Sequence, residues 1–267
     1  MITIILGMHR SGTSTVAGIL HLNKIIMGTY QNFWPRPLPQ NPKGFYENYD
    51  FRKINDKLMQ KAGYDVKSYE SEIPLPTINN RMRKTMTKMV NKYQSNYEHW
   101  GWKDPRTCLT IPQWMDIFRE MELDKNIKII FVTRSAMAVA RSLKKRNELS
   151  LINAMALWKS YTERALDFCE HNDFPTFYMS FEGILQSPED HCEKMFDFLE
   201  TNFDPTIVKH FVDKKISTSG TGEDAEIPND ISDLEFENFR NKYYDEIEYS
   251  RSIKDSSGDF TGLTKRD

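Results

Sequence analysis

The chain predicts an α/β fold built on a parallel sheet. Three observations carry that expectation. The 267-residue sequence opens on the apolar run Ile2-Thr3-Ile4-Ile5-Leu6, a second such run spans 127–133 (IKIIFVT), and stretches with a helical period separate these from shorter strand-like runs. Strands that alternate with helices need crossover connections, which set neighbouring strands parallel and the crossovers right-handed. With 39% apolar and 12% aromatic residues the chain can bury one sizeable core, so a single domain over residues 1–250 and a flexible tail over 251–267 are expected.

The first strand, residues 2–6, runs into Gly7-Met8-His9-Arg10-Ser11-Gly12-Thr13-Ser14, and the stretch Val16-Ala17-Gly18-Ile19-Leu20 then begins a helix. Two glycines five apart let the backbone curl until successive N–H groups point inward, and the following helix adds the positive end of its dipole. An anion belongs there. The ATP-binding version of such a loop needs a lysine where this chain has Thr13, and the only cation in the loop is Arg10. Residues 28–46 hold Trp34, Pro35, Pro37, Pro39, Pro42 and Gly44, an irregular loop of the kind that borders sites. Residues 48–62 and 80–97 predict polar-faced helices. His99-Trp100-Gly101-Trp102-Lys103 then makes a short strand halted by Asp104-Pro105. A helical period returns over 111–121, and the strand 127–133 ends in Arg134. Helices follow over 136–146 and from the capping Ser150, the latter with a core stripe of Leu151, Met155, Trp158, Thr162, Ala165 and Cys169. Pro175 to Met179 reads as a strand and 188–199 as a helix. Residues 217–232 and 250–267 are polar and poor in large apolar groups, with one helix expected between them over 233–249.

Composition excludes several classes of function. Lysine plus arginine (36) nearly balances aspartate plus glutamate (38), so the chain lacks the basic field of a nucleic-acid binder. No apolar run approaches the roughly 18 residues of a membrane span, and a strand starting at residue 2 leaves no room for a signal peptide; a cytoplasmic protein is expected. Cys108, Cys169 and Cys192 are odd in number and far apart, which suits reduced thiols, and the six histidines form no ligand-spaced cluster. No metal is expected.

In a parallel α/β sheet, ligands gather at the carboxyl ends of the strands. Those ends carry Gly7 to Ser14, Lys103 to Arg106, and Arg134: three cationic clusters, suited to a ligand with several anionic groups. On the helix after Arg134, Ser135, Ala138 and Ser142 share a face and are small, leaving room for a phosphate that Arg134 can fork onto and Ser142 can donate to.

These residues resemble the sulfotransferases that use 3′-phosphoadenosine-5′-phosphosulfate (PAPS), especially the bacterial-type members. The resemblance runs through most of the chain. It rests on the loop Gly7 to Ser14, the segment Asn41 to Asn48 (NPKGFYEN), the segment Lys103 to Arg106 (KDPR), Arg134 with Ser142 eight residues later, Leu149 to Trp158, and Ser180-Phe181-Glu182-Gly183-Ile184-Leu185 before Ser187-Pro188-Glu189. It implies an α/β three-layer sandwich with a central parallel sheet of the P-loop NTPase-like kind. It also implies that Gly7, His9, Arg10, Ser11, Gly12, Thr13 and Ser14 hold the 5′-phosphosulfate and that Arg134 and Ser142 hold the 3′-phosphate. Arg10 would offset charge on the bridging oxygen and Lys103 would stabilise the moving sulfuryl group, with no metal required. Three departures stand out: Phe181 replaces a frequent tyrosine, Pro105 replaces the histidine of a Lys-x-His pair, and the family's C-terminal Arg-Lys-Gly motif is missing. The base must therefore come from elsewhere. Glu47 is the first candidate, with a helix-N-terminal carboxylate as its other reading, and His9 and Asp104 stand in reserve. The implied acceptor is a small-molecule or glycan hydroxyl, first a carbohydrate and then a lipid or peptide. Aromatics at 33, 34, 45, 46 and 49 fit either a sugar platform or core. The oligomeric state stays open. Two other readings share the loop: an ATP-dependent small-molecule kinase, opposed by Thr13 and by the lack of an apolar strand ending in a magnesium-binding aspartate, and a nucleotide-binding protein without catalysis.

Overall fold

The computed structural model describes residues 1–38, 41 and 43–212. The sequence readings for 217–232, 233–249 and 250–267 lie outside these residues. Four strands, β1 (Ile2–Leu6), β2 (Trp100–Lys103), β3 (Ile127–Thr133) and β4 (Thr176–Ser180), form one sheet in the order β2-β1-β3-β4. Every pairing is parallel, and the register sets Ile5 beside Lys103, Leu6 beside Phe131 and Thr133 beside Ser180. The strand ends are staggered by three residues across the sheet, with β3 and β4 running furthest. Whatever follows Leu6, Lys103, Thr133 and Ser180 meets along one edge of the sheet.

Period-2 alternation in the strands divides the core between the two faces. Ile2, Ile4, Leu6, Ile129 and Phe131 pack toward α2 (Tyr49–Lys61), α3 (Asn80–Gln94), α4 (Thr107–Glu120), α5 (Ala136–Asn147) and α6 (Leu151–Glu170). Ile5, Ile130 and Val132 pack toward α1 (Thr13–Leu22), α8 (Pro188–Leu199) and the flanking short helices α7 (Phe181–Gln186) and α9 (Pro205–Phe211). Helix, sheet and helix make three layers. On the first face Phe51 stacks on Trp102 with centroids 4.4 Å apart, and Trp114 and Phe118 close around Trp102.

Some boundaries differ from the sequence reading, each for a local reason. α4 starts at Thr107 rather than 111, because the Asp104-Pro105 turn winds straight into the helix through Thr107 N–H to Asp104 O (2.9 Å). α3 stops at Gln94, three residues early, and Asn96 closes a turn onto Tyr93 O. α7 follows β4 without a loop, since the Ser180 hydroxyl accepts from Gly183 N–H (3.0 Å) and caps it.

Candidate active site

The loop after β1 owes its shape to positions with positive φ. Gly7 has φ 152° and a Cβ there would lie 2.4 Å from the Val132 carbonyl oxygen. Gly12, the N-cap of α1, has φ 84°, and a Cβ there would lie 2.1 Å from the Phe181 ring. Arg10 also takes a left-handed conformation (φ 70°). No side chain caps α1 and its first turn holds no acid. Among the described residues the amides of Gly12, Thr13 and Ser14 have no acceptor, so they and the helix dipole face the cavity that these residues line. A phosphate or sulfate group fits this cradle.

The order β2-β1-β3-β4 makes β1 and β3 direct neighbours, and so joins the loop to the start of α5. Arg134 donates through Nη1 to the Arg10 carbonyl (3.0 Å), and its guanidinium lies 4.9 Å from the centroid of the Phe181 ring. Arg10 in turn donates through Nε to the Ser142 hydroxyl (2.8 Å). The loop cation, the strand-end arginine and the helix serine therefore form one patch. Glu182 Oε1 lies 3.9 Å from Arg134 Nε and accepts from Ser135 N–H, tying α5 to α7. Burial first, then the charges of Arg146 and Arg134, pull Arg10 down to about 10. Burial likewise lowers Arg134, against the opposing pull of Glu182. Guanidinium groups crowded in this way favour an anion between them.

Beside this patch lies a closed circuit of charge. Glu47 and Lys103 form an isolated parallel bridge, and the buried Lys103 Nζ sits 3.1 Å from Glu47 Oε1. Arg52 Nη1 lies 3.6 Å from Glu47 Oε2, and Arg52 Nε lies 3.9 Å from Asp56 Oδ2. Asp56 Oδ1 is 2.7 Å from Arg106 Nε, and Arg106 Nη1 is 2.7 Å from Asp104 Oδ1. Asp104 adjoins Lys103 in sequence, which closes the circuit. Three acids and three bases alternate around it. One turn of α2 supplies Arg52, Asn55 and Asp56, and Asn55 donates to Asp104 Oδ2 (2.8 Å) and Thr107 Oγ1 while accepting from Thr110 and Trp114. Burial pushes the Asp104 carboxyl up, but the Arg106 charge and the hydrogen bonds from Asn55 and Arg106 outweigh it and hold it below its ordinary value. Burial raises Asp56, aided by Asp104 and Glu47 and opposed by Arg106 and Arg52.

The sequence candidates take distinct places. A cavity of about 530 Å³ at the strand ends is lined by His9, Arg10, Gly12, Thr13, Ser14, Glu47, Lys103 and Arg134. That volume lies within the range of small-molecule sites. Gly7 and Ser11 shape the loop from behind: the Gly7 amide donates to Cys108 Sγ (3.2 Å), and Ser11 is buried with its amide on Met8 O. Ser142 is buried beneath Arg10. Asp104 is fully buried and does not line the cavity, so it cannot reach an acceptor. His9 packs edge-on against Tyr161 (5.6 Å), and burial first, then Arg106, Lys103 and Arg146 against Asp104, bring it to about 3. It is a neutral imidazole at ordinary pH. Of the aromatics, Phe45 is buried at the cavity wall, Phe33 and Tyr46 pack edge-to-face at 5.1 Å, and Trp34 and Tyr49 are exposed. Sequence reasoning missed Arg52, Asp56 and Arg146. A buried asparagine in the apolar stripe Phe51, Ile54, Asn55, Leu58 and Met59 was the available signal that α2 serves a polar site.

Fold and site together define an α/β protein with an anion-cradling loop at the sheet edge and a buried carboxylate–lysine pair beside it. The model of the sulfotransferase family matches residues 3–205, and the chain belongs to that family. The family's shared chemistry is transfer of a sulfuryl group. No curated protein matches the chain. Among solved structures, the sulfotransferase domain from the curacin biosynthetic pathway is 16% identical over 91% of this chain and 97% of that one, with a TM-score of 0.48. The sulfotransferase domain of the Synechococcus PCC 7002 olefin synthase is 15% identical over 91% and 94% (TM-score 0.48), and sulfotransferase STF9 from Mycobacterium avium is 13% identical over 92% and 76% (TM-score 0.48). Among the described residues no helix is long and apolar enough to cross a membrane, and no group of His, Cys, Asp or Glu could hold a metal ion.

Proposed function

We propose that this protein transfers the sulfuryl group of PAPS to a hydroxyl of a carbohydrate acceptor. The observation that carries the reading is the single patch of Arg10, Ser142 and Arg134 against the open amides of Gly12 to Ser14. One nucleotide bearing a phosphosulfate at one end and a phosphate at the other would engage both halves of that patch. Thr13 in place of the loop lysine turns the site away from ATP.

Sulfuryl transfer spreads charge over oxygens between a leaving phosphate and an attacking hydroxyl, so positioning and electrostatic stabilisation dominate. In this reading Glu47 takes the acceptor's proton as its oxygen forms the new bond to sulfur. The bond from sulfur to the bridging oxygen breaks, and adenosine 3′,5′-bisphosphate leaves with the negative charge. Arg10 and the loop amides face that charge. Lys103, 3.1 Å from Glu47, faces the sulfuryl oxygens.

A thermal-melting comparison tests the donor. Adenosine 3′,5′-bisphosphate without metal should raise the melting temperature more than ATP with magnesium, because a ligand at a hundredfold its Kd adds about 2.7 kcal/mol to stability. A larger shift with ATP and magnesium would overturn the reading in favour of a kinase. No shift with either would remove the nucleotide altogether.

A further inference from the structure

The cavity holds cations that neither the charge circuit nor the donor patch employs. The circuit nets to zero, and Arg134 faces Glu182. Among the described residues Glu47 is the only acid that lines the cavity, against Arg10, Lys43, Arg52, Lys67, Lys103, Arg106, Arg134 and Arg146.

Arg146 is the most telling of these. It stands in the last turn of α5, where Lys144, Lys145 and Arg146 all offset the helix dipole, yet of the three only Arg146 turns into the cavity. Its guanidinium lies 5.5 Å from the centroid of Phe45, two residues before Glu47. Among the described residues no carboxylate pairs with it. Its charge is instead felt by Arg10 and by His9. Among the described residues, then, this guanidinium is set among cations and over one aromatic face with no counter-ion. The neighbouring Asn147 donates to the Tyr69 hydroxyl (2.7 Å), which ties the end of α5 to the segment that carries Lys67, a further residue lining the cavity.

We propose that the acceptor is an acid sugar, whose carboxylate is held by Arg146 and Lys67 while a hydroxyl is presented to Glu47. This rests on the carbohydrate reading above and adds its charge. The forked guanidinium matches a carboxylate.

The test uses full-length protein saturated with adenosine 3′,5′-bisphosphate, so that the donor patch is filled. Ligand-observed NMR at constant ionic strength then compares methyl β-D-glucuronide with methyl β-D-glucoside. The glucuronide should bind about tenfold or more tightly than the glucoside. Arg146→Gln with Lys67→Gln should abolish the preference and leave bisphosphate affinity within about twofold. Equal binding of the two glycosides to the wild type, including no binding of either, would overturn the proposal, as would a preference that survives both substitutions. Lost bisphosphate affinity in Arg146→Gln would also overturn it, by giving that residue to the donor. If the wild type does not bind the bisphosphate at all, the donor reading fails separately, and the same glycoside comparison on the unliganded protein still decides the acid-sugar claim.

Discussion

Removal of the Arg134 guanidinium is the most direct probe of how the two halves of the donor patch depend on each other. Arg134 is 7% exposed, and its contacts include a hydrogen bond to the Arg10 carbonyl at 3.0 Å, a face-on approach to Phe181 at 4.9 Å, and a longer pairing with Glu182 at 3.9 Å. A hydrogen bond from a guanidinium to a charged phosphate contributes about 1.5–3 kcal/mol. Arg134→Ala should therefore raise the Kd of adenosine 3′,5′-bisphosphate by about 10- to 150-fold. The same change removes the brace on the Arg10 backbone and the cation–π contact, together about 1–3 kcal/mol of stability. Arg134→Lys keeps the charge but cannot brace the carbonyl and fork onto a phosphate together, so it should fall between wild type and alanine. Isothermal titration calorimetry of all three proteins, with melting curves in parallel, reads both effects. An alanine variant that binds the bisphosphate within twofold of wild type would refute the placement of a phosphate at this strand end.

The other predictions address the circuit and the loop. Glu47→Gln should lower turnover about a hundredfold or more with bisphosphate affinity nearly unchanged, and an unaltered rate would remove Glu47 from the role of base. Asp104→Asn leaves Arg106 short of a buried partner and should destabilise the protein by about 3–5 kcal/mol in denaturant titration, a loss that an unshifted midpoint would contradict. His9, brought to about 3, binds a proton in the unfolded chain below about pH 6.5 that the folded chain refuses. Stability should thus fall by up to about 1.4 kcal/mol per pH unit from pH 6.5 down toward 3, and His9→Asn should flatten that slope; an identical slope in the variant would argue against a neutral buried imidazole. Gly12→Ala drives a methyl group into the Phe181 ring at φ 84°, so it should abolish bisphosphate binding and lower the melting temperature, whereas wild-type behaviour would mean that the loop tolerates another path.

Local features were legible in the sequence and long-range ones were not. The loop between Gly7 and Ser14 announces itself because a strand, two glycines and a helix are contiguous. Arg134 and Ser142 are eight residues apart across a strand end and one helix, so their nearness also follows from local geometry. The meeting of Glu47 with Lys103 spans 56 residues and depends on an irregular segment laid beside β2, which no periodicity encodes. Chain order also separates the loop from Arg134 by a whole strand, while the sheet order sets β1 beside β3. Arg52 and Asp56 look in sequence like a solvated i,i+4 pair on a polar helix. Only their joint approach to Glu47 and Arg106 gives them another part to play.

The bond between Glu47 and Lys103 also links two events that are usually treated apart. While the carboxylate is charged, it detains the ammonium group. If Glu47 is the base proposed above, it becomes neutral on accepting the acceptor's hydrogen, and its claim on the lysine lapses at the moment the migrating group has most need of a cation. Proton uptake would then release the very charge that the transfer calls for, so a substitution at either member should be felt at both steps.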